Sequence, residues 1–185
     1  MRTPASIAKH PIHPMIVPIP IGLWIFSFVC DLFHVFGAQS EAWTTVAFYT
    51  MAGGIIGALL AALPGLIDLL SLPAGPRSTA IKHMSLNLLI VVLYIINFFA
   101  RWGDPQNPGG LVWLSLVSLI LLAISGWLGG KMVYEYGIAV DAAPASPAST
   151  APEVSTQRAR YQGPERRNPT KGSGYFGPDR RMATQ

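Results

Sequence analysis

The sequence predicts an all-α fold: a polytopic membrane four-helix bundle followed by a disordered C-terminal tail. Hydrophobic residues make up 51% of the chain and charged residues only 12%, whereas soluble domains carry about 25% charged residues. Four apolar stretches are each long enough to cross a bilayer, which takes roughly 20 helical residues. Beyond residue 136 the chain turns to Ala, Pro, Ser and Thr, a composition that cannot bury a core. The shortage of charge argues against a soluble enzyme.

The predicted transmembrane domain follows a short N-terminal arm. The arm is residues 1–14, the domain is residues 15–136, and the spans are about 15–36, 43–70, 80–101 and 111–134. Each span has to be helical, because lipid offers no partners for unpaired backbone groups. The connections are short, so neighbouring spans are expected to be antiparallel. Pro14 falls at the first turn of the first span, where a proline is tolerated.

Small residues recur every fourth position in two of the spans. They are Gly53, Gly57, Ala61 and Gly65 in the second span, and Gly126 and Gly130 in the fourth. Small residues at this spacing let helix backbones approach closely in a membrane. We expect both sets to pack against neighbouring helices.

Basic residues indicate the orientation of the bundle. In a four-span topology the arm, the 71–79 loop and the tail share one side of the membrane. That side and its adjoining span ends carry every Lys and Arg except Arg101. Cytoplasmic segments are enriched in basic residues. The sequence therefore predicts a multi-pass membrane protein with both termini in the cytoplasm.

Two ionisable residues lie near the exoplasmic end of the first span. Asp31 and His34 are three residues apart and so share a helix face. Ionisable side chains inside a span are costly and usually face the bundle interior or water. We expect these two to form a local hydrogen-bonded pair.

A larger polar group is predicted at the cytoplasmic side. It consists of His10, His13, Asp68 and His83. Imidazole is the commonest ligand for transition metals, and Asp often orients it, so these four residues are a candidate metal site. His13 and His83 lie on different segments at similar depth and are candidate axial ligands for a haem b. Alternatively, these residues have a structural role. The His-Pro pairs then end the arm, and a hydrogen bond between His83 and Asp68 fixes the register of their two helices.

The third span carries a polar stripe on one face. At about 100° per residue, His83, Asn87, Tyr94 and Asn97 project close together. A single polar face predicts that this side of the helix looks into the bundle rather than at lipid. Such a stripe is also what a proton or small-solute conduit would need.

These residues together resemble the membrane family known as domain of unknown function 2231. The resemblance covers roughly residues 9–136 and is carried by His10-Pro-x-His13-Pro, Val17-Pro-Ile-Pro-Ile-Gly22, Asp31, Gly65-Leu-Ile-Asp68 and His83. It implies four spans and a location in the bacterial inner membrane. Some relatives are joined to cytochrome-like or other redox modules, which favours haem or metal handling. The family has no established activity, so the resemblance implies no catalytic residue.

The predicted tail, residues 137–185, contains a short repeat. Tyr161–Arg167 recurs as Tyr175–Arg181 in the pattern Tyr-x-Gly-Pro-acid-Arg-Arg. Arginines near a cytoplasmic membrane face gain about 1 kcal/mol each from anionic lipid. We expect the tail to bind anionic lipid or a cytoplasmic protein. Each Arg pair has its own acidic neighbour, so nucleic acid is not an expected partner.

The sequence leaves three functions open. The first is a small redox module that handles haem or a metal and meets a redox partner. The second is a non-catalytic membrane scaffold that recruits a partner through its tail. The third is a proton or solute conduit. Nothing in the residues marks a catalytic centre, so we do not expect an enzyme.

Overall fold

A computed structural model describes residues 3–37 and 40–140 of the chain. Its elements are β1 (Ser6–Ile7), β2 (His10–Pro11), α1 (Ile12–Ile16), α2 (Pro18–Phe36), α3 (Glu41–Ser71), α4 (Ala74–Arg101) and α5 (Leu111–Tyr136). Four helical segments are long and apolar enough to cross a membrane: Ile12–Phe36, Glu41–Ser71, Ala74–Arg101 and Leu111–Tyr136. The predicted four-helix membrane bundle is confirmed. The predicted tail from residue 141 onward, with its repeat, lies outside the described residues.

The N-terminal arm folds back on itself as a short hairpin. Strands β1 and β2 are antiparallel, with Ile7 opposite His10. Ala8 and Lys9 form the turn with φ values of 50° and 69°. A tight hairpin turn of this kind needs positive φ at both central residues. The hairpin therefore leads the chain directly into α1.

Prolines shape the first span. Pro14 lies in the first turn of α1, as predicted. Pro18 has no N–H to donate, and it begins α2. Val17 lies between the two helices and has helical backbone angles, φ −51° and ψ −34°. The two helices therefore follow one another as a single span.

Helix α4 begins at Ala74, six residues before the predicted start of the third span. Pro73 precedes it in an extended conformation, and Pro76 lies in its first turn. A first-turn proline costs no hydrogen bond, because the N–H it lacks would have had no partner in the helix. The connection from α3 to α4 is consequently only two residues long, Leu72 and Pro73.

The four spans pack as an antiparallel bundle. Helix α2 packs along α3, α5 packs along α4, and α3–α4 and α2–α5 contacts complete the bundle. We call the end with the hairpin and the α3–α4 connection the arm end. The other end, with the 37–40 and 102–110 connections, is the loop end. A buried apolar cluster joins the helices midway: Trp24, Met51, Ile90, Val91 and Tyr94.

The small residues of α3 pack against a neighbouring helix, whereas those predicted to do so in α5 do not. A Cβ at Gly57 would come within 3.2 Å of α2, and a Cβ at Gly65 would lie 2.8 Å from the ring of His13. These glycines let the first span lie directly against α3, as predicted. Nothing lies within 4 Å of a Cβ at Gly126 or Gly130. The packing role predicted for these two is wrong, because α4 contacts α5 here through His83 at Ser125 and Gly129 rather than at Gly126 or Gly130.

The folded part of the chain extends slightly into the predicted tail. Gly137 ends α5 in the left-handed conformation, φ 60°. Ile138 then folds back, is buried, and belongs to an apolar cluster with Leu72 and Ala80 at the arm end. A left-handed glycine is a common helix end because it lets the chain reverse at no steric cost.

Candidate functional site

The arm end brings two of the predicted histidines together. The ring centroids of His13 and His83 are 6.4 Å apart, and the ring planes are nearly perpendicular, at 88°. His13 is placed by α1 and His83 by the third turn of α4. Both side chains are half-buried. Two segments far apart in sequence thus present imidazoles at the same depth.

Backbone carbonyls of the neighbouring helices hold both rings. Nδ1 of His13 lies 2.8 Å from the carbonyl oxygen of Ala61, and Nδ1 of His83 lies 2.9 Å from that of Ser125. A carbonyl oxygen only accepts, so each Nδ1 carries the proton in these hydrogen bonds. The amide nitrogen of Asn87 lies 3.0 Å from Nε2 of His83. His83 is therefore fixed at both ring nitrogens.

A glycine lies behind each of the two rings. Gly65 faces the ring of His13 on α3, and a Cβ at Gly129 would lie 3.4 Å from the ring of His83 on α5. Each ring consequently sits against the backbone of the helix whose carbonyl it binds. A side chain at either glycine would displace the ring, most severely at Gly65.

The other two members of the predicted metal group have partners elsewhere. His10 is exposed, and its Nδ1 lies 2.9 Å from the carbonyl oxygen of Ala8 in its own hairpin. Asp68 accepts a 2.9 Å hydrogen bond from the backbone N–H of Ala5 and so ties the arm to α3. Within residues 3–37 and 40–140, no three His, Cys, Asp or Glu side chains are grouped closely enough to hold a metal ion. The four-residue site is thus reduced to the histidine pair.

The polar stripe of α4 faces the bundle interior. Tyr94 and Asn97 are fully buried, and Asn87 is half-buried next to His83. Asn87 also donates a 2.9 Å hydrogen bond to the carbonyl oxygen of His83. Ile90 and Val91 are buried between Asn87 and Tyr94, so an apolar turn interrupts the stripe.

Tyr94 occupies the centre of the bundle. Its ring stacks on that of Trp24, with centroids 4.2 Å apart and planes 7° from parallel. The indole N–H of Trp24 donates to the carbonyl oxygen of Met51 at 3.3 Å. Among the described residues, the buried side-chain polar groups without a hydrogen-bond partner are the hydroxyls of Tyr94 and Thr3. An unpaired buried hydroxyl costs about 1–3 kcal/mol, which makes Tyr94 an unusual central residue.

The loop end contains a buried ion pair. Arg101 donates to both carboxylate oxygens of Asp31, each at 2.8 Å, and neither side chain is exposed. The predicted partner of Asp31 was His34, but Nδ1 of His34 lies 3.4 Å from the carbonyl oxygen of Ser40 instead. The pairing prediction is wrong because a guanidinium offers two parallel charge-assisted bonds, and an imidazole offers one.

Asn97 connects this ion pair to α5. Its side-chain oxygen accepts a 2.8 Å bond from Nε of Arg101. Its side-chain nitrogen donates to the hydroxyl of Ser115 at 2.9 Å and to the carbonyl oxygen of Leu111 at 3.0 Å. Three helices, α2, α4 and α5, are joined by one hydrogen-bonded network.

Sequence reasoning missed Arg101, Ser115 and Ser125. It counted Arg101 as an exoplasmic loop charge, yet a signal was available, since residue 101 lies eighteen positions after His83. Eighteen steps of 100° are five full turns, so Arg101 continues the polar stripe. No comparable signal marks the two serines, because a serine in a span commonly bonds its own backbone.

Four spanning helices around a buried chain of polar and charged side chains define a polytopic membrane protein. The chain belongs to the family of predicted membrane proteins called domain of unknown function 2231, whose model matches residues 9–142. The family resemblance noted in the sequence is thereby confirmed. No curated protein and no solved structure matches the chain.

Proposed function

We propose that this protein transfers protons across the membrane along the inner face of α4. The observation that carries the proposal is the unpaired, fully buried hydroxyl of Tyr94, which lies between two hydrogen-bonded polar clusters. One cluster is the histidine pair at the arm end, and the other is the ion-pair network at the loop end. Buried polar groups are costly in a membrane and commonly mark proton or ion paths.

The arm end supplies the proton acceptors. Imidazole exchanges protons near neutral pH. His13 and His83 each have Nδ1 bonded to a carbonyl, so a proton is exchanged at Nε2, and at His83 only when the amide of Asn87 moves off that atom. The side-chain N–H of Asn87 contacts Nε2 of His83, and Asn87 is the next polar residue of the α4 stripe toward the membrane centre.

The apolar turn at Ile90 and Val91 is the barrier in this path. Asn87 and Tyr94 are seven residues apart, a rise of about 10 Å along the helix. Transfer then requires transient water past Ile90 and Val91.

Proton flux into vesicles tests the proposal. The chain is reconstituted with a trapped pH-sensitive dye, the membrane potential is clamped with potassium and valinomycin, and the outside is acidified. We expect flux above empty vesicles and a decrease of at least about tenfold in Tyr94→Phe, a barrier increase of about 1.4 kcal/mol. Tyr49→Phe is the matched control, because Tyr49 is exposed on α3. Equal flux in both variants, or none in the unmodified chain, contradicts the proposal.

We also propose that the arm end faces the cytoplasm and that the membrane is the bacterial inner membrane. The distribution of Lys and Arg supports the orientation, since all but Arg101 belong to that side. In a Cys30→Ala background, a cysteine introduced at exposed Asp104 should be labelled from outside intact cells. A cysteine introduced at exposed Arg77 should not be labelled. The tail then lies on the cytoplasmic side, where an anionic lipid or a scaffold partner would meet its repeat.

Haem b binding by His13 and His83 is the second candidate. The carbonyl bonds to both Nδ1 atoms support it, because ligating histidines commonly donate their other ring N–H to such a group. The purified chain would then show a Soret band that His83→Gln removes and His10→Gln keeps. A redox partner would be expected only if this Soret band is observed.

A further inference from the structure

We propose that an anionic phospholipid binds along the outer face of α4 at the arm end. Lys82 and Ser78 bind its phosphate, Ser85 donates to an ester carbonyl, and an acyl chain lies along the apolar part of the same face. Such a site is additional to proton transfer and does not depend on it. The observation that carries it is an exposed helix face whose polar end has no partner in the described part of the chain.

One face of α4 is exposed along most of its length. At about 100° per residue its members project within an arc of about 100°, on the side opposite the buried polar stripe. From the arm end to the loop end they are Ser78, Lys82, Ser85, Leu89, Val92, Ile96 and Phe99. The first three are polar and the other four are apolar, so the face changes once from polar to apolar. This is also the order of headgroup and acyl chain in a phospholipid.

The polar residues of this face have their hydrogen-bonding groups free. Within residues 3–37 and 40–140, no side chain or carbonyl binds the hydroxyls of Ser78 and Ser85 or the ammonium of Lys82. Other hydroxyls in the spans behave differently, since Thr50 and Ser118 each donate to a carbonyl oxygen four residues earlier. A hydroxyl facing lipid still needs an acceptor, because an unpaired polar group is costly there. The acceptors outside the protein at this depth are the oxygens of the lipid itself.

Lys82 lies at the edge of the hydrocarbon layer. Trp102, directly after α4, is 63% exposed, and exposed tryptophans mark the membrane interface. A bilayer core takes about 20 helical residues, which places Lys82 at the opposite edge. From there its long side chain extends into the headgroup layer. Ser85 lies about 4.5 Å deeper along the helix, where the ester carbonyls follow the phosphate.

The charges around this face favour an anionic lipid. Arg77 is exposed and, like Lys82, has no ion pair among the described residues. On the neighbouring helix α5, by contrast, Lys131 is paired with Glu135 at 3.4 Å. Unpaired basic residues near a membrane surface attract anionic lipids. A zwitterionic headgroup brings its own cation, which this part of α4 repels.

Quenching by brominated lipid tests the proposal on the full chain in phosphatidylcholine vesicles. A minor share of the lipid is phosphatidylglycerol with brominated acyl chains, and brominated phosphatidylcholine in a parallel sample measures the access of lipid to each label. In a Cys30→Ala background, a fluorescent label is attached at Leu88→Cys, beside the proposed chain, or at Ile120→Cys. Both positions are exposed.

The label at Ile120 is the matched reference. It lies on α5 at a depth similar to that of Leu88, because α5 runs antiparallel to α4 with Asn97 bonded to Ser115 and His83 to Ser125. Both labelled chains keep the same basic tail, so attraction of lipid by the tail affects them equally. We expect a preference for phosphatidylglycerol at Leu88 about fivefold above that at Ile120. An equal preference at the two labels, or none at either, contradicts the proposal.

Matched variants separate a binding site from diffuse attraction. Lys82→Gln is expected to remove the preference at Leu88. Arg77→Gln removes the same charge about 140° around the helix and is expected to keep most of the preference. Ser85→Ala should weaken it, and Ser85→Thr should restore it, because threonine keeps the hydroxyl. Equal losses in Lys82→Gln and Arg77→Gln would overturn the proposal, since the general positive charge of the arm end would then account for the effect.

Discussion

Asp31 and Arg101 lie seventy residues apart in the chain and form a fully buried, two-bond ion pair at the loop end of the bundle. The pair links α2 to α4, and Asn97 extends it to α5. Both charges are withdrawn from water, which carries a large desolvation free energy. Removing one of them is therefore a clear test of the fold.

Asp31→Ala should strongly destabilise the bundle. Arg101 would be left buried without its carboxylate, which typically costs about 3–5 kcal/mol. The free energy of unfolding in mixed detergent micelles, followed by circular dichroism, measures the effect. Glu135→Ala is the control, because the Lys131–Glu135 pair is partly exposed at 3.4 Å and such pairs contribute at most about 1 kcal/mol.

The double variant Asp31→Leu with Arg101→Leu separates charge burial from packing. It removes both charges together, so we expect it to recover much of the stability lost in Asp31→Ala. A double variant as unstable as the single one would mean that the side-chain shapes, rather than the charges, hold α2 to α4.

Gly65→Ala should destabilise the arm end. The added Cβ would lie 2.8 Å from Nδ1 of His13, so the ring would have to leave its carbonyl partner. Loss of that bond and displacement of the arm together predict a decrease of about 1–3 kcal/mol in unfolding free energy. Gly126→Ala, which meets nothing within 4 Å, should leave stability unchanged or raise it. A similar decrease in both variants would point to helix flexibility instead.

Tyr94→Phe should raise stability while it lowers proton flux. Removing an unpaired buried hydroxyl relieves a desolvation cost, so we expect a gain of about 1 kcal/mol. The stacking on Trp24 is kept, since phenylalanine has the same ring. Thermal unfolding of the detergent-purified chain measures the gain, with Tyr49→Phe as reference. A loss of stability would indicate that the hydroxyl has a partner in the membrane.

Asp68→Ala should release the N-terminal arm. The carboxylate accepts the backbone N–H of Ala5 and so holds the hairpin against α3. Hydrogen exchange of residues 3–11 is expected to become faster, with the spans unaffected. Asp68→Asn keeps an acceptor oxygen at the same position and should protect the arm nearly as well. Fast exchange in the asparagine variant would show that the negative charge, not the hydrogen bond, holds the arm.

Sequence reasoning succeeded where a property depends on the residue and its neighbours along the helix. The four spans follow from apolar length, and the inward orientation of the α4 stripe follows from the 100° rotation per residue. Neither of these two predictions required knowledge of the partner helices. Asn97 and Tyr94 were identified in this way, and both are fully buried.

It failed where a side chain chooses between partners on different helices. Asp31 has His34 one turn away on its own helix, but it pairs with Arg101 on α4. Asp68 and His83 lie at similar depth, yet Asp68 binds the arm and His83 binds α5. Depth along a helix follows from residue number, but the rotation of one helix against another does not.

The sequence by itself determined that this protein is a four-span membrane bundle with a polar interior, because lipid excludes charge and a helix repeats every 3.6 residues. Only the tertiary structure decided which polar groups meet. It brought His13 to His83 across two spans, closed the ion pair between Asp31 and Arg101, and left the hydroxyl of Tyr94 alone between them. The physical reason is that these contacts depend on how the helices pack, and packing is set by glycines and bulky side chains acting together across the bundle.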